Sequence, residues 1–347
     1  MKNIIKLIAF IILFLLLLNV VTIIITPKWI KSTDPALSRI KGFYKEKKGT
    51  LDVIVIGNSD VGRGYSPITV WDEYGIASYN LGTSSQSMGL AYYLAKESLC
   101  YQTPNLMILD MNALYNEDDA PEGEYRKLFD NIRFGKTKIE AIFDKNLSIS
   151  NKDKLSYIFP ILRFHSRWSE LEDKDFKKIK YSRYKKISHK GMAVNADIKP
   201  YIDKAKYMEE KGEKANIPEK NLNYFKKIVK LCEDNNVKLL LIEIPSTKTW
   251  SLSKNKKTAE LANEYGLKFI DYNIEENKNK INLDWNTDFA DGGYHLNING
   301  AEKISRDLGN IMINEYKCKN HKNEQNYSSW YKASEKYHLR VEKEKNK

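Results

Sequence analysis

The stretch Leu51-Asp52-Val53-Ile54-Val55-Ile56-Gly57-Asn58-Ser59-Asp60 decides how this chain is read. Residues 51–56 are a nearly continuous apolar run, the pattern of a strand buried on both faces. Gly57 ends the run, and Ser59 falls in the turn that follows. A serine hydroxyl is a poor nucleophile at neutral pH and needs a base that an acid orients. Both partners stand more than two hundred residues away, in Asp291-Gly292-Gly293-Tyr294-His295-Leu296-Asn297, just ahead of the last well-formed helix.

Outward from the first strand, apolar runs alternate with amphipathic segments. Ser66-Pro67 is a helix start, a capping hydroxyl followed by proline at the first helical position. A second strand is expected at 77–81, ending at Gly82. A helix follows near 86–99, with Met88, Tyr92, Ala95 and Leu99 at helical spacing. The third strand, 106–111, leads into Asn112. Then come a helix at 218–235, a strand at 237–244, a helix near 256–265 and a strand at 267–271. Asn299-Gly300-Ala301-Glu302 reads as a capping box, and Ile304, Leu308, Ile311 and Met312 carry the helix behind it. The alternation predicts an α/β domain, a parallel sheet covered on both faces.

In such a sheet a ligand sits beyond the carboxyl ends of the strands. Ser59, Gly82 and Asn112 follow the first three strands, and His295 follows the fifth, so all four are expected at one edge. Residues 113–215 break the rhythm. They read as a subdomain inserted into a domain spanning 51–316, overhanging that edge. Residues 27–50 read as a tether with a short amphipathic lead-in, and 317–347 as a surface helix or a mobile tail.

Residues 7–26 carry no charge and are flanked by Lys6 and Lys28. A helix of that length rises roughly 30 Å, enough to cross a bilayer core. Thr26-Pro27-Lys28-Trp29 follows in place of a small-x-small cleavage site. That favours an uncleaved anchor over a signal peptide, with Trp29 suited to the membrane interface. Lys2 and Lys6 before the span, against Lys28, Lys31, Arg39 and Lys41 after it, leave the orientation open.

The net charge of +12 is spread along a chain of 347 residues rich in Lys, Asn and Ile. No nucleic-acid partner is expected; the charge would suit anionic partners such as phosphate-bearing wall polymers or lipid headgroups, but a general compositional bias is the stronger reading. Cys100, Cys232 and Cys318 have neither disulfide-framework nor zinc-site spacing, and Cys232 reads as core. Gly57-Asn58-Ser59-Asp60-Val61-Gly62 lacks the lysine of a P-loop, and Gly62-Arg63-Gly64 alone does not support a dinucleotide site. His165, in Phe164-His165-Ser166-Arg167-Trp168, reads as packed or capping; Arg167 could clamp an anion but reads as structural. His189, His321 and His338 stand among charges and read as solvated.

Gly57-Asn58-Ser59, then Gly82, then Asn112, then a late acid with His295 resembles the SGNH (GDSL-like) hydrolase superfamily over residues 51–315. The most specific part is Asp291-Gly292-Gly293-Tyr294-His295-Leu296-Asn297 with Gly300-Ala301-Glu302-Lys303 behind it. The anchor and the insertion look most like the D-alanine transfer (DltD-like) proteins. They also look like related acyltransferases encoded beside membrane-bound O-acyltransferases. The resemblance implies a three-layer α/β/α, flavodoxin-like fold. It implies Ser59 as nucleophile and His295 as base. The oxyanion hole would comprise the backbone N–H of Ser59, the N–H of Gly82 and the side-chain amide of Asn112, each donor contributing about 3 kcal/mol.

Two departures stand out. The family spacing Asp-x-x-His would put the acid at 292, where this chain has Gly, so Asp291 and Asp288 are the two candidate orienters. Leu109-Asp110-Met111-Asn112 lacks the glycine and second acid of the family's third-strand signature. The function implied is O-acyl transfer, through an acyl-serine, onto a cell-surface polysaccharide or teichoic-acid-like polymer. A membrane-bound O-acyltransferase partner would supply the acyl group, and the domain would lie outside the cell. No metal or organic cofactor is expected. An esterase of the same glycans, or an inactive polymer-binding scaffold, are the alternatives.

Overall fold

Five short strands, β1 Val53–Ile56, β2 Ser78–Asn80, β3 Leu106–Asp110, β4 Lys238–Glu243 and β5 Lys268–Asp271, pair in parallel in the order β2-β1-β3-β4-β5. The structure is a computed structural model that describes residues 1–27, 35–117, 120–176, 189–202, 207–208 and 215–347. The strand order is that of flavodoxin-like sheets, whose switch point lies between β1 and β3. Ser59 and Asn112 follow the two strands that flank it.

Side chains alternate between two buried faces, as a pleated strand requires. Ile54, Ile56, Met107, Leu109, Leu239 and Leu241 pack into one core with helices Met88–Leu99, Glu219–Asp234 and Leu252–Glu264. Val53, Val55, Ile108, Leu240 and Ile242 pack into the other with helices Ser59–Gly64 and Ile298–Asn314. The result is the three-layer α/β/α sandwich read from the apolar runs. Cys232 is in the first core. Helix Ile298–Asn314 starts earlier than its expected capping box: Asn297, not Asn299, is the N-cap, its side chain accepting from the N–H groups of Asn299 and Gly300.

Of the two readings of the C-terminal residues the helix holds and the tail does not: residues 328–345 form a helix that buries Trp330, Tyr337 and Val341, with Trp330 stacked on Trp71 at 5.0 Å between centroids. Two of the solvated histidines need correction. His321 is buried, bonded to Asp52 (3.0 Å) and Glu324 (2.8 Å) and stacked on Tyr327, and His189 is buried too. Of these three only His338 is exposed, 2.8 Å from Asp72. The lead-in Pro35–Phe43 is a packed helix, whose buried Arg39 donates to the carbonyls of Gly191 (2.5 Å) and Gly62 (3.1 Å). A charged neighbourhood in sequence misleads here because the partners are themselves charged and are brought in by the fold.

The segment read as an insertion divides in two. Helices Glu122–Phe129, Lys136–Phe143, Asn151–Ile158, Ile161–Phe164 and Asp173–Phe176 form a helical layer. Residues 189–202 instead run over the carboxyl ends of the strands. They bond Asn80 (N–H to Lys190 carbonyl, 2.9 Å), Gly62 (Ala193 N–H to its carbonyl, 2.9 Å) and Ile298 (N–H to Asn195 carbonyl, 2.8 Å). They end on the 285–292 loop, where Lys199 and Tyr201 donate to the Phe289 and Trp285 carbonyls. Residues 118–119, 177–188, 203–206 and 209–214 of this interval lie outside the described residues.

Helix Lys2–Ile25 is long and apolar enough to cross a membrane, the one such helix among the described residues. Lys28, Trp29 and Lys31 lie outside them.

Candidate active site

Gly57 is required where β1 turns, because a Cβ there would lie 2.5 Å from the Asp110 Cβ. Asn58 then caps the next helix, its side-chain oxygen accepting from the Asp60 N–H at 2.7 Å. Ser59 is therefore the first helical residue, with its hydroxyl at the sheet edge and its N–H among the donors that a helix start leaves without an intrahelical acceptor.

His295 comes from a small loop closed by the Phe289–Leu296 bridge and by the Ala290 N–H bonding the His295 carbonyl. Its Nε2 is 3.0 Å from the Ser59 Oγ. Its Nδ1 is 2.7 Å from Asp291 Oδ2, and its own N–H donates to Asp291 Oδ1, also at 2.7 Å. The other candidate acid is elsewhere. Asp288 is buried, with Oδ2 taking the Asp284 N–H and the Lys303 ammonium, each at 2.7 Å. The one-residue excess in the loop is absorbed by Gly292 and Gly293, at φ +78° and +90°. Side chains avoid that region, and a Cβ on Gly293 would meet Thr247 at 2.8 Å.

Electrostatics suit a base. Burial lowers the His295 pKa, and the charges of Arg63 and Lys248 add to this against the pull of Asp291, so the imidazole is neutral at pH 7. Burial pushes the Asp291 pKa up, but the hydrogen bonds from the His295 side chain and backbone N–H, with the charge of Arg63, outweigh it and hold the carboxylate ionised. Arg63 is 3.3 Å from Asp291. The Tyr294 ring lies 4.1 Å from that of His295, centroid to centroid, and Lys248 sits over Tyr294 at 4.9 Å.

The remaining donors are engaged internally. The Gly82 N–H donates to Asn80 Oδ1 at 2.9 Å, and Asn112 Nδ2 donates to Thr249 Oγ1 (2.7 Å) and Glu243 Oε1 (3.2 Å). Gly82 is needed for close approach, since a Cβ would lie 2.6 Å from the Gly62 nitrogen. His165 is exposed, its Nδ1 against the Leu162 carbonyl, and Arg167 gives its fork to Asp175 rather than to a free anion site.

Sequence reasoning passed over Asp60, although it stands beside the serine. Its carboxyl is 1% exposed, with Oδ1 lacking a hydrogen-bond partner and 3.7 Å from His295 Nε2. Burial pushes its pKa up to about 7, the charge of Asp291 adding and the Asn58 bond opposing. At 3.7 Å Asp60 makes no hydrogen bond to Nε2, which is left to Ser59; once ionised, Asp60 would favour the imidazolium through its charge. Among the described residues no His, Cys, Asp and Glu cluster is arranged to hold a metal ion.

No protein-family model and no curated protein matches the chain. Solved structures do show similarity. A proposed acylhydrolase from Bacteroides fragilis is 11% identical, over 79% of this chain and 94% of that one, with a TM-score of 0.36. A GDSL-like lipase from Bacteroides thetaiotaomicron is 11% identical, over 75% and 86%, with a TM-score of 0.34. Likeness at that level says nothing of what this site acts on.

Proposed function

We propose that this chain is a membrane-anchored serine enzyme of acyl-ester chemistry, working through an acyl group carried on Ser59. The observation that carries the reading is the unbroken chain Ser59 Oγ, His295 Nε2, His295 Nδ1, Asp291 Oδ2, at 3.0 and 2.7 Å. With Nδ1–H directed at Asp291, Nε2 is the acceptor for the serine proton. Ser59 Oγ attacks the ester carbonyl while His295 takes its proton, and the imidazolium is stabilised by Asp291. The tetrahedral intermediate collapses, His295 protonates the departing alkoxide, and the acyl-serine remains. An acceptor hydroxyl then gives its proton to His295 and attacks, and the same steps in reverse release the new ester and the free serine.

The Ser59 N–H is the first oxyanion donor. Gly82 and Asn112 join it by exchanging neutral acceptors for the developing charge. That exchange is favourable because a bond to an ionised oxygen is the stronger one, and burial holds Glu243 well above the usual carboxylate range.

The finer proposal is transfer onto a hydroxyl of a cell-surface polysaccharide or teichoic-acid-like polymer outside the cell, with a membrane-bound O-acyltransferase as donor partner. It rests on the sequence resemblance and on the N-terminal apolar helix. Tethering keeps enzyme, donor and acceptor at one surface and raises their effective concentration. An esterase would share every group and differ only in taking water as acceptor.

The test is turnover of a model acetyl ester, with fluorophosphonate labelling, by the full chain and by Ser59→Ala and His295→Ala. Loss of turnover in both, and of labelling in Ser59→Ala, is expected. Turnover indifferent to Ser59 would overturn the acyl-serine reading. Product analysis with a polymer acceptor present then separates transfer from hydrolysis.

A further inference from the structure

We propose that residues 151–176 are a membrane seat, an apolar surface that rests in the bilayer interface beside the chain's own anchor. The proposal rests on the reading that helix Lys2–Ile25 spans a bilayer. That helix rises about 36 Å, slightly more than a hydrocarbon core, so its carboxyl end reaches the headgroup level. Its side chains are almost all bare from Lys2 to Val21, while Ile25, Thr26 and Pro27 are buried.

What buries them is this segment. Helix Ile161–Phe164, the turn His165–Glu170 and helix Asp173–Phe176 all pack against the N-terminal helix. Arg167 fixes the junction. One guanidinium nitrogen donates to the Ile25 carbonyl, one of those a helix end leaves unsatisfied, and another bonds both oxygens of buried Asp175 at 3.1 Å. The segment is thus held at the level where the span ends.

There it exposes large apolar side chains. After the N-terminal helix twelve such residues are exposed among those described, and five fall here: Leu155, Phe159, Leu162, Trp168 and Phe176. Trp168 is 72% exposed and Phe176 63%. Trp168 adjoins the arginine that holds the helix end, and tryptophan is the residue suited to the headgroup boundary. A concentration of this kind marks an interaction surface rather than ordinary scatter. Residues 151–176 carry five basic and five acidic side chains, so attraction to anionic lipid does not hold the seat. Burial of apolar surface does, and the contact is therefore insensitive to salt. Helix Glu122–Phe129 of the same layer reaches the turn after β2, where Glu124 and Lys127 bond Ser84.

The test reconstitutes the full chain in vesicles of zwitterionic phosphatidylcholine, with and without acyl-chain-brominated lipid, at low and high salt. Tryptophan emission is compared between wild type and Trp168→Phe. Trp71, Trp250 and Trp330 are buried, and Trp168 is the one exposed tryptophan among the described residues. The result expected is bromolipid quenching in the wild type that falls about twofold in Trp168→Phe and is unchanged by salt. Equal quenching in the two proteins, with both retained after alkaline extraction, would overturn the seat and leave that surface to a protein partner or a second copy. Release of the chain on extraction would overturn the spanning helix instead, and the seat with it.

Discussion

At the scale of single residues, the 2.7 Å bond from His295 Nδ1 to Asp291 fixes which imidazole nitrogen faces the serine. Asp291→Asn can donate to Nδ1 and so stabilise the wrong tautomer. Its kcat should fall by about 10⁴-fold with little change in fold. Asp288→Asn should do the reverse, since it breaks contacts to Lys303 and Asp284 rather than to the histidine: thermal stability drops and kcat stays close to wild type. Steady-state rates and thermal melts on the two variants check this together. The lowered His295 pKa places the acid limb of kcat/KM below the ordinary histidine value of 6.5.

Asp60 gives a separate pH signature. Its folded pKa, about 7, lies above the unfolded value of 3.8. The folded state therefore holds a proton that the unfolded state has released between those values, and stability falls as pH rises across the window. Asp60→Asn should match wild type near pH 4 and melt higher at pH 8, by up to about 4 kcal/mol of relieved burial cost. A difference that does not grow with pH would show that Asp60 ionises freely.

At the scale of elements, the 289–296 loop is the part whose shape the chemistry depends on. Gly293→Ala adds a Cβ at φ +90°, against Thr247 and Tyr201. It should cost about 1–3 kcal/mol in stability and lower kcat by displacing His295 from Asp291. Urea melts and ester turnover read the two effects. The sequence showed the acid and histidine of this loop but not which acid, because a rule of fixed spacing assumes one backbone path. Two consecutive left-handed glycines supply another, bringing the fourth residue back where the third was expected. The strands were legible to within one or two residues, since a short apolar run bounded by glycine or polar turn residues suits a buried strand and is too short for a helix.

At the scale of the whole molecule, the carboxyl-terminal helix belongs to the fold. Ending the chain at residue 327 would uncover Trp71, remove Trp330 from its face and strip Tyr337 from Ser66. The truncated protein should melt several degrees lower; an unchanged melting temperature would mean that residues 328–345 are a dispensable tail. Those residues read as charged and ambiguous because their few apolar side chains are widely spaced and their partners lie some 260 residues earlier. Asp60 escaped notice for a related reason, since nothing local marks a carboxyl as buried.

The sequence by itself determined the layer order of the domain, the apolar anchor-length helix, and the gathering of Ser59, Gly82, Asn112 and His295 at one edge. These follow from local rules: apolar periodicity selects strand or helix, and a parallel sheet sends every strand end the same way. Only the tertiary structure decided that Asp291 rather than Asp288 meets His295, that Gly82 and Asn112 rest on internal acceptors, and that Arg39 and Arg167 pin distant segments. Each of these is a hydrogen bond set by a few tenths of an ångström and a few tens of degrees of backbone, which no pattern of residue types records.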